Sequence, residues 1–258
     1  MTFWSKVGHG WRWIATALSF FMFGVGGVLI SVFVVPFLYL LSGSRSIREQ
    51  RGKKVIHYAF RLFIWFMKSL GVLTYKISDV EKLQDARLVI ANHPSLIDII
   101  FLIALVPNAN CVVKSKLFRN PFTWGPLKAA GYIVNTGKAE DVIDAAAKAF
   151  KKGHALIIFP EGTRTTPLQP IKFKRGAANV AVRTQADITP VLIECKPTTL
   201  TKSDRWYQVP DKRVYFRLQV KDKLEISPYL KNISPSKGAR MLTSDLTNYF
   251  SKEIGLHE

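Results

Sequence analysis

Ala139-Glu-Asp-Val-Ile-Asp-Ala-Ala-Ala-Lys-Ala-Phe-Lys-Lys-Gly153, followed by His-Ala155-Leu-Ile-Ile-Phe159 and Pro-Glu-Gly-Thr-Arg-Thr165, sets a helix, a stop, a strand and a turn side by side. Segment 139–152 is alanine-rich and reads as a helix. Gly153 is a natural helix stop, and 155–159 is a short apolar run of the kind buried on both faces. The same alternation recurs along the chain after residue 70. Segments 87–91 and 188–193 are further apolar runs, 214–220 alternates apolar with polar residues, and 177–185 and 238–250 read as helices. This order predicts an α/β fold with a mixed, mostly parallel central sheet flanked by helices. The sheet domain is placed at residues 76–258 and an N-terminal membrane-embedded helical segment at residues 1–75. Residues 202–212, polar and proline-containing, are expected to form the longest surface loop.

The run 87–91 leads into Asn92-His93-Pro-Ser-Leu-Ile-Asp98, much as 155–159 leads into Pro160-Glu161-Gly162-Thr163-Arg164. Loops at strand ends present side chains and free backbone amides to ligands. Pro94 suits the first position of a helix, which puts His93 at a strand-to-helix turn. Near neutral pH an imidazole can take the proton of a hydroxyl as its oxygen attacks an acyl thioester. A carboxylate on the other ring nitrogen fixes the tautomer and stabilises the imidazolium, and Asp98 is the candidate for that role. Each block alone has an ordinary alternative, with Ser95 and Asp98 as a capping pair and Arg164 as a solvated turn residue. Two such blocks in one chain, each directly after an apolar strand, point to an acyl-transfer site. Gly-x-Ser-x-Gly is absent, which argues against a serine esterase, so direct transfer without an acyl-enzyme is expected. Amides of the His93 turn or of the turn 161–163 are the candidates for holding the oxyanion.

Over roughly residues 70–220 the chain resembles the glycerophospholipid acyltransferase family, the lysophosphatidic acid acyltransferase-like enzymes marked by His-x4-Asp and Phe-Pro-Glu-Gly-Thr-Arg. The resemblance implies that His93 is the general base and Asp98 its orienter. It further implies that Glu161 and Gly162 help bind the acceptor, with Thr163 in the same block, and that Arg164 binds phosphate. Pro190 corresponds to a family proline near the acyl-donor site, or is simply a strand-start proline. The implied donor is acyl-CoA or acyl-carrier protein, the implied acceptor 1-acyl-sn-glycerol-3-phosphate, and no bound cofactor is implied. One departure stands out: in Gly131-Tyr-Ile-Val-Asn-Thr-Gly137-Lys138 the family's arginine position holds Gly137. Lys138 can restore the charge there, though without the two-pronged fit of a guanidinium. Lys172, Lys174 and Arg175 precede a helix and are either a phosphate contact or a solvated basic face. Acylation of another hydroxyl-bearing lipid, or a non-catalytic membrane scaffold, are the alternative readings.

The 258 residues carry 37 Lys and Arg against 18 Asp and Glu, a net charge of +19. Such a balance suits an anionic membrane, an acidic carrier protein or nucleic acid. No zinc-finger spacing or RNA-recognition signature is present, so membrane is the expected partner and nucleic acid is not. From Trp13 to Leu41 about 29 residues carry no charge, more than the ~20 needed to cross a bilayer. The run is too long for a cleaved signal core; it is expected to be one tilted span or a hairpin dipping into one leaflet. Segment 58–73, rich in Phe, Trp and Leu, is either an interfacial helix or a core helix. Arg45, Arg48, Arg51, Lys53 and Lys54 outweigh Lys6 and Arg12, which places the catalytic domain on the cytoplasmic face of the plasma (inner) membrane. Two distant cysteines, Cys111 and Cys195, agree with a reducing compartment, and no metal-ligand cluster is expected.

Overall fold

The computed structural model describes residues 3–167 and 169–255. The chain opens with α1 (Phe3–Leu29), which passes through a single wide turn at Ile30–Val34 into α2 (Val35–Leu41). After Ser42 and Gly43 it reverses into α3 (Arg45–Ser69), whose first turn is capped by the Ser44 hydroxyl accepting from the Ile47 amide. The remainder alternates strand and helix: β1 (Leu73–Ser78), β2 (Leu88–Ala91), α4 (Asp98–Leu105), β3 (Asn110–Lys114), α5 (Pro121–Ala130), β4 (Ile133–Asn135), α6 (Ala139–Lys151), β5 (Leu156–Ile158), α7 (Gly176–Thr184), β6 (Ile188–Lys196), β7 (Val214–Val220) and α8 (Pro235–Gly255).

The seven strands form one sheet in the order β1-β7-β6-β2-β5-β3-β4. Every pairing is parallel except β6 with β7. The expected mixed, mostly parallel sheet is therefore present. Its central strands are buried on both faces. Leu88 and Ile90 of β2 point into a core shared with α6, α7 and α8, while Val89 and Ala91 point into one shared with α3 and α4. The helix at 139–152 forms as α6, with Glu140 and Asp141 in its first turn and Lys148 and Lys151 in its last, which suits the helix dipole. Gly153 follows at φ +71°, a conformation favourable to glycine.

The N-terminal helices are fused to the sheet domain. β1 crosses the boundary expected at 75/76, and Ile56, Ile64 and Met67 of α3 share the core of Phe101 and Leu102 of α4. The uncharged run forms one continuous helix through α1 and α2, long and apolar enough to cross a membrane, and α3 packs back against it. In segment 58–73 Ile64 and Met67 face the core, while Tyr58, Leu62 and Trp65 are exposed. Lys53 is one of the five cations counted on the flank after the uncharged run. It is buried, donates to the Ala130 carbonyl at 2.6 Å, and desolvation lowers its pKa to about 8.

Helix α3 approaches α5 so closely that a Cβ on Gly52 would lie 2.0 Å from the Ala129 carbonyl oxygen. Backbone cannot yield cheaply there. Gly52→Ala is expected to destabilise the protein by about 1–3 kcal/mol, and each kcal/mol should lower the melting midpoint by about 2–4 °C. Gly10→Ala, where a Cβ would meet nothing within 4 Å, is the control and should leave the midpoint level or slightly higher. Melting of both variants in detergent checks this, and equal midpoints would contradict it.

Candidate active site

The strands β2 and β5 are parallel neighbours, so their C-terminal ends deliver both sequence blocks to the same edge of the sheet. His93 leaves β2 and Phe159 leaves β5, and their rings stack at 4.1 Å between centroids, 18° from parallel. Behind the imidazole, Asp98 is the first residue of α4, so this helix begins four residues later than Pro94 suggested. Pro94 instead lies in the turn.

Asp98 is fully buried, and its Oδ2 accepts from the Ser95 amide at 2.7 Å and lies 2.9 Å from His93 Nδ1. Burial raises its pKa to about 6, against the opposing pull of His93 and the Ser95 amide. No hydrogen-bond partner is found for Oδ1 among the described residues. A carboxylate this dry interacts strongly with whatever charge develops on the imidazole.

The second block grips the first. Glu161 Oε1 accepts from the His93 amide at 2.9 Å and from the Thr165 hydroxyl at 2.9 Å, while the Thr165 amide donates to the His93 carbonyl at 2.7 Å. The observed contact of Glu161 is thus with the backbone of His93. Its own pKa is raised by burial, in opposition to these two donors. Asn92 pins the other side of the turn, donating to the Ile193 carbonyl and accepting from the Ile193 amide, each at 2.8 Å.

These bonds correct one expectation. The amides of the His93 turn are occupied: His93 by Glu161, Ser95 by Asp98, Leu96 by the Leu200 carbonyl and Ile97 by the Ser95 hydroxyl. Pro94 has no amide hydrogen. An oxyanion cannot be held there without breaking the turn. In the other turn the Gly162 amide is spent on the Phe159 carbonyl.

His93 lines a largely apolar cavity of about 1350 Å3 that runs between α1, α3, α4 and the sheet. Gly162, Thr163, Arg164, Lys138 and Lys174 line the same cavity, while Arg175 stands outside it at the start of α7. Lys174 folds over Gly162, where its Nζ would lie 3.1 Å from an added Cβ. Arg164 is partly spent, since Nη1 donates to the Leu200 carbonyl at 2.8 Å. Pro190 lies inside β6 opposite Ile90 and is not in the cavity lining. Gly137 has φ +91°, and its amide donates to Asn135 Oδ1. A side chain there would be strained, which explains locally why arginine does not occupy this turn. Sequence reasoning passed over Lys114 and Lys116, which also line the cavity. The signal was available, because Lys114 ends the apolar run Cys111-Val-Val just as His93 and Glu161 follow theirs. Among the described residues no cluster of three metal-ligating side chains occurs.

The family model described as Acyltransferase matches residues 73–194, the stretch holding both blocks. A 1-acyl-sn-glycerol-3-phosphate acyltransferase of Cocos nucifera is 26% identical over 197 residues, covering 70% of this chain and 61% of the relative. A putative enzyme of the same description from Caenorhabditis elegans is 33% identical over 166 residues, covering 58% and 56%, and one from Helicobacter pylori is 34% identical over 134 residues, covering 50% and 56%. The chain therefore spans between half and two thirds of the length of these relatives. The crystal structure of the 1-acyl-sn-glycerophosphate acyltransferase PlsC from Thermotoga maritima superposes with a TM-score of 0.69 at 19% identity, over 97% of this chain and 98% of that one, which establishes a shared fold. By its two strand-end blocks and the matched segment 73–194, the chain is similar to the glycerophospholipid acyltransferases, with which it shares its fold.

Proposed function

We propose that the protein is a membrane-bound acyltransferase that moves an acyl group from acyl-CoA or acyl-carrier protein to the free hydroxyl of a lysophospholipid, 1-acyl-sn-glycerol-3-phosphate in the first instance. The observation that carries this reading is the 2.9 Å contact of His93 Nδ1 with the buried Asp98, at the wall of an apolar cavity wide enough for a lipid chain. With Nδ1–H donated to Asp98, Nε2 takes the acceptor's hydroxyl proton. The oxygen attacks the thioester carbon, the tetrahedral oxyanion collapses, and the C–S bond breaks. The imidazolium then returns its proton to the departing thiolate, leaving ester, thiol and neutral His93. The Thr163 and Arg164 amides, in the turn beside His93, are the proposed oxyanion donors.

Arg164, Lys114, Lys116, Lys138 and Lys174 are the proposed phosphate contacts, with fatty chains in the apolar part of the cavity. The outward stripe Trp11, Ile14, Leu18 and Phe21 on α1, with Tyr58, Leu62 and Trp65 on α3, supports seating in a bilayer. The cation-rich start of α3 supports the cytoplasmic face of the plasma (inner) membrane. A second reading, acylation of a different hydroxyl lipid, is favoured by one feature, the glycine turn at 137 in place of an arginine.

Thiol release from acyl-CoA and from acyl-carrier protein, with lysophosphatidic acid and a panel of other lysolipids, separates the two. Release that requires lysophosphatidic acid supports the first reading, and release only with an acceptor lacking phosphate supports the second. Arg164→Ala is expected to raise KM for a phosphorylated acceptor by about tenfold or more, the scale of one lost charge-assisted contact. An unchanged KM would remove Arg164 from phosphate binding.

A further inference from the structure

The loop between β6 and β7 was expected only as surface, yet its middle is strapped to α1. The Trp206 ring lies 6.3 Å from Trp13 and 5.8 Å from Phe20, and Tyr207 packs edge-on to Trp206 at 5.7 Å. On the α1 side, Arg12 donates to the carbonyls of Pro210 and Asp211. Despite this packing the aromatic rings stay open: Trp206 is 46% exposed, Tyr207 41% and Trp13 44%. Trp13 and Phe20 join the loop rings to α1. Around them stand Lys202, Arg205 and Lys212, and across the described residues of this loop the acidic groups are Asp204 and Asp211. Asp204 is turned inward to accept from the Thr201 amide, and Asp211 lies by His9.

Indole and phenol rings with a polar tip, ringed by cations and packed against an apolar helix, have the chemistry of a surface that meets lipid headgroups. We propose that this loop is a membrane anchor separate from the N-terminal helices, with Trp206 and Tyr207 at headgroup level and Lys202, Arg205 and Lys212 towards lipid phosphates. The occupant is an anionic bilayer surface. The inference rests on the membrane reading above and adds a second point of contact to it. Lys202, Trp206, Gln208, Val209 and Pro210 line the cavity that reaches His93, together with Arg12, Phe20 and Phe23 of α1. A loop seated in the headgroups holds that side of the cavity against the lipid layer, so an acceptor passes from bilayer to base without crossing water.

The test uses the full chain and does not depend on turnover. Cys111 and Cys195 are buried, so a new surface cysteine can be labelled selectively. Tyr207→Cys and, on the opposite face of the sheet, Lys148→Cys are each labelled with an environment-sensitive fluorophore and mixed with vesicles containing anionic phospholipid. The expected result is a blue shift at 207, quenched several-fold more by lipids nitroxide-labelled near the headgroup than by those labelled at the chain end, with no change at 148. Sedimentation with vesicles but no shift at 207 would overturn the loop anchor and leave the N-terminal helices as the membrane contact. Absence of sedimentation would overturn both readings. A Trp206→Ser variant that keeps the full shift at 207 would also overturn the proposal, because the anchor assigns the depth of the loop to that ring.

Discussion

Alanine at position 93 is expected to reduce acyl transfer by at least the ~10²–10⁴-fold typical of lost general acid–base catalysis, with vesicle binding and melting midpoint close to the parent. The reason is positional. The imidazole stands between a fully buried carboxylate and the cavity, and among the described residues no other histidine lines that cavity. The main-chain bonds that hold the turn, from the His93 amide to Glu161 and from the Thr165 amide to the His93 carbonyl, survive removal of the side chain. Thiol release from acyl-CoA with lysophosphatidic acid, read against vesicle sedimentation, measures the split. Unaltered turnover in this variant would end the role of His93 as the base.

The second large effect is expected at Asp98, where asparagine preserves shape but presents a neutral acceptor or an amide donor to Nδ1. The wrong tautomer of His93 then becomes favourable, and kcat should fall by roughly 10³–10⁴-fold on the triad precedent. Stability should move the other way. Burial raises the folded pKa to about 6 from an ordinary 3.8. Between those values the native state binds more protons than the unfolded chain, so native stability falls as pH rises through that window. Asp98→Asn removes this cost, and its melting midpoint at neutral pH should equal or exceed that of the parent. The same shift predicts an acid limb in the pH profile of kcat/KM: as pH falls through about 6 the carboxylate is neutralised and the base loses its orienter. Loss of activity together with a lower midpoint would mean that Asp98 serves mainly to hold the fold.

Much of this was legible because the chain repeats one local grammar. Short apolar runs such as 87–91 and 155–159 can be buried on both faces only in a sheet with helices on either side, and a parallel pairing of the two necessarily puts their trailing residues together. The position of His93 relative to Glu161 follows from that pairing. Three things did not follow. The start of α4 at Asp98 was misjudged because Pro94 is equally compatible with a turn, and the carboxylate bond to the Ser95 amide decides in favour of one. The engagement of the His93-turn amides depends on Glu161 and on the Leu200 carbonyl, groups far away in sequence. The burial of Lys53 goes with the close approach of α3 to α5 at Gly52, which no periodicity records.

Glu161 stands 68 positions from His93 in sequence, yet its carboxylate reaches the amide of the histidine. The two blocks therefore make a single mechanical part, like a tool and its chuck. A fault in the chuck shows up in how the tool cuts. Loss of the Glu161 carboxylate would surface as slow turnover at saturating acceptor, so an assay designed to find a lipid-binding residue would record the signature of a damaged base.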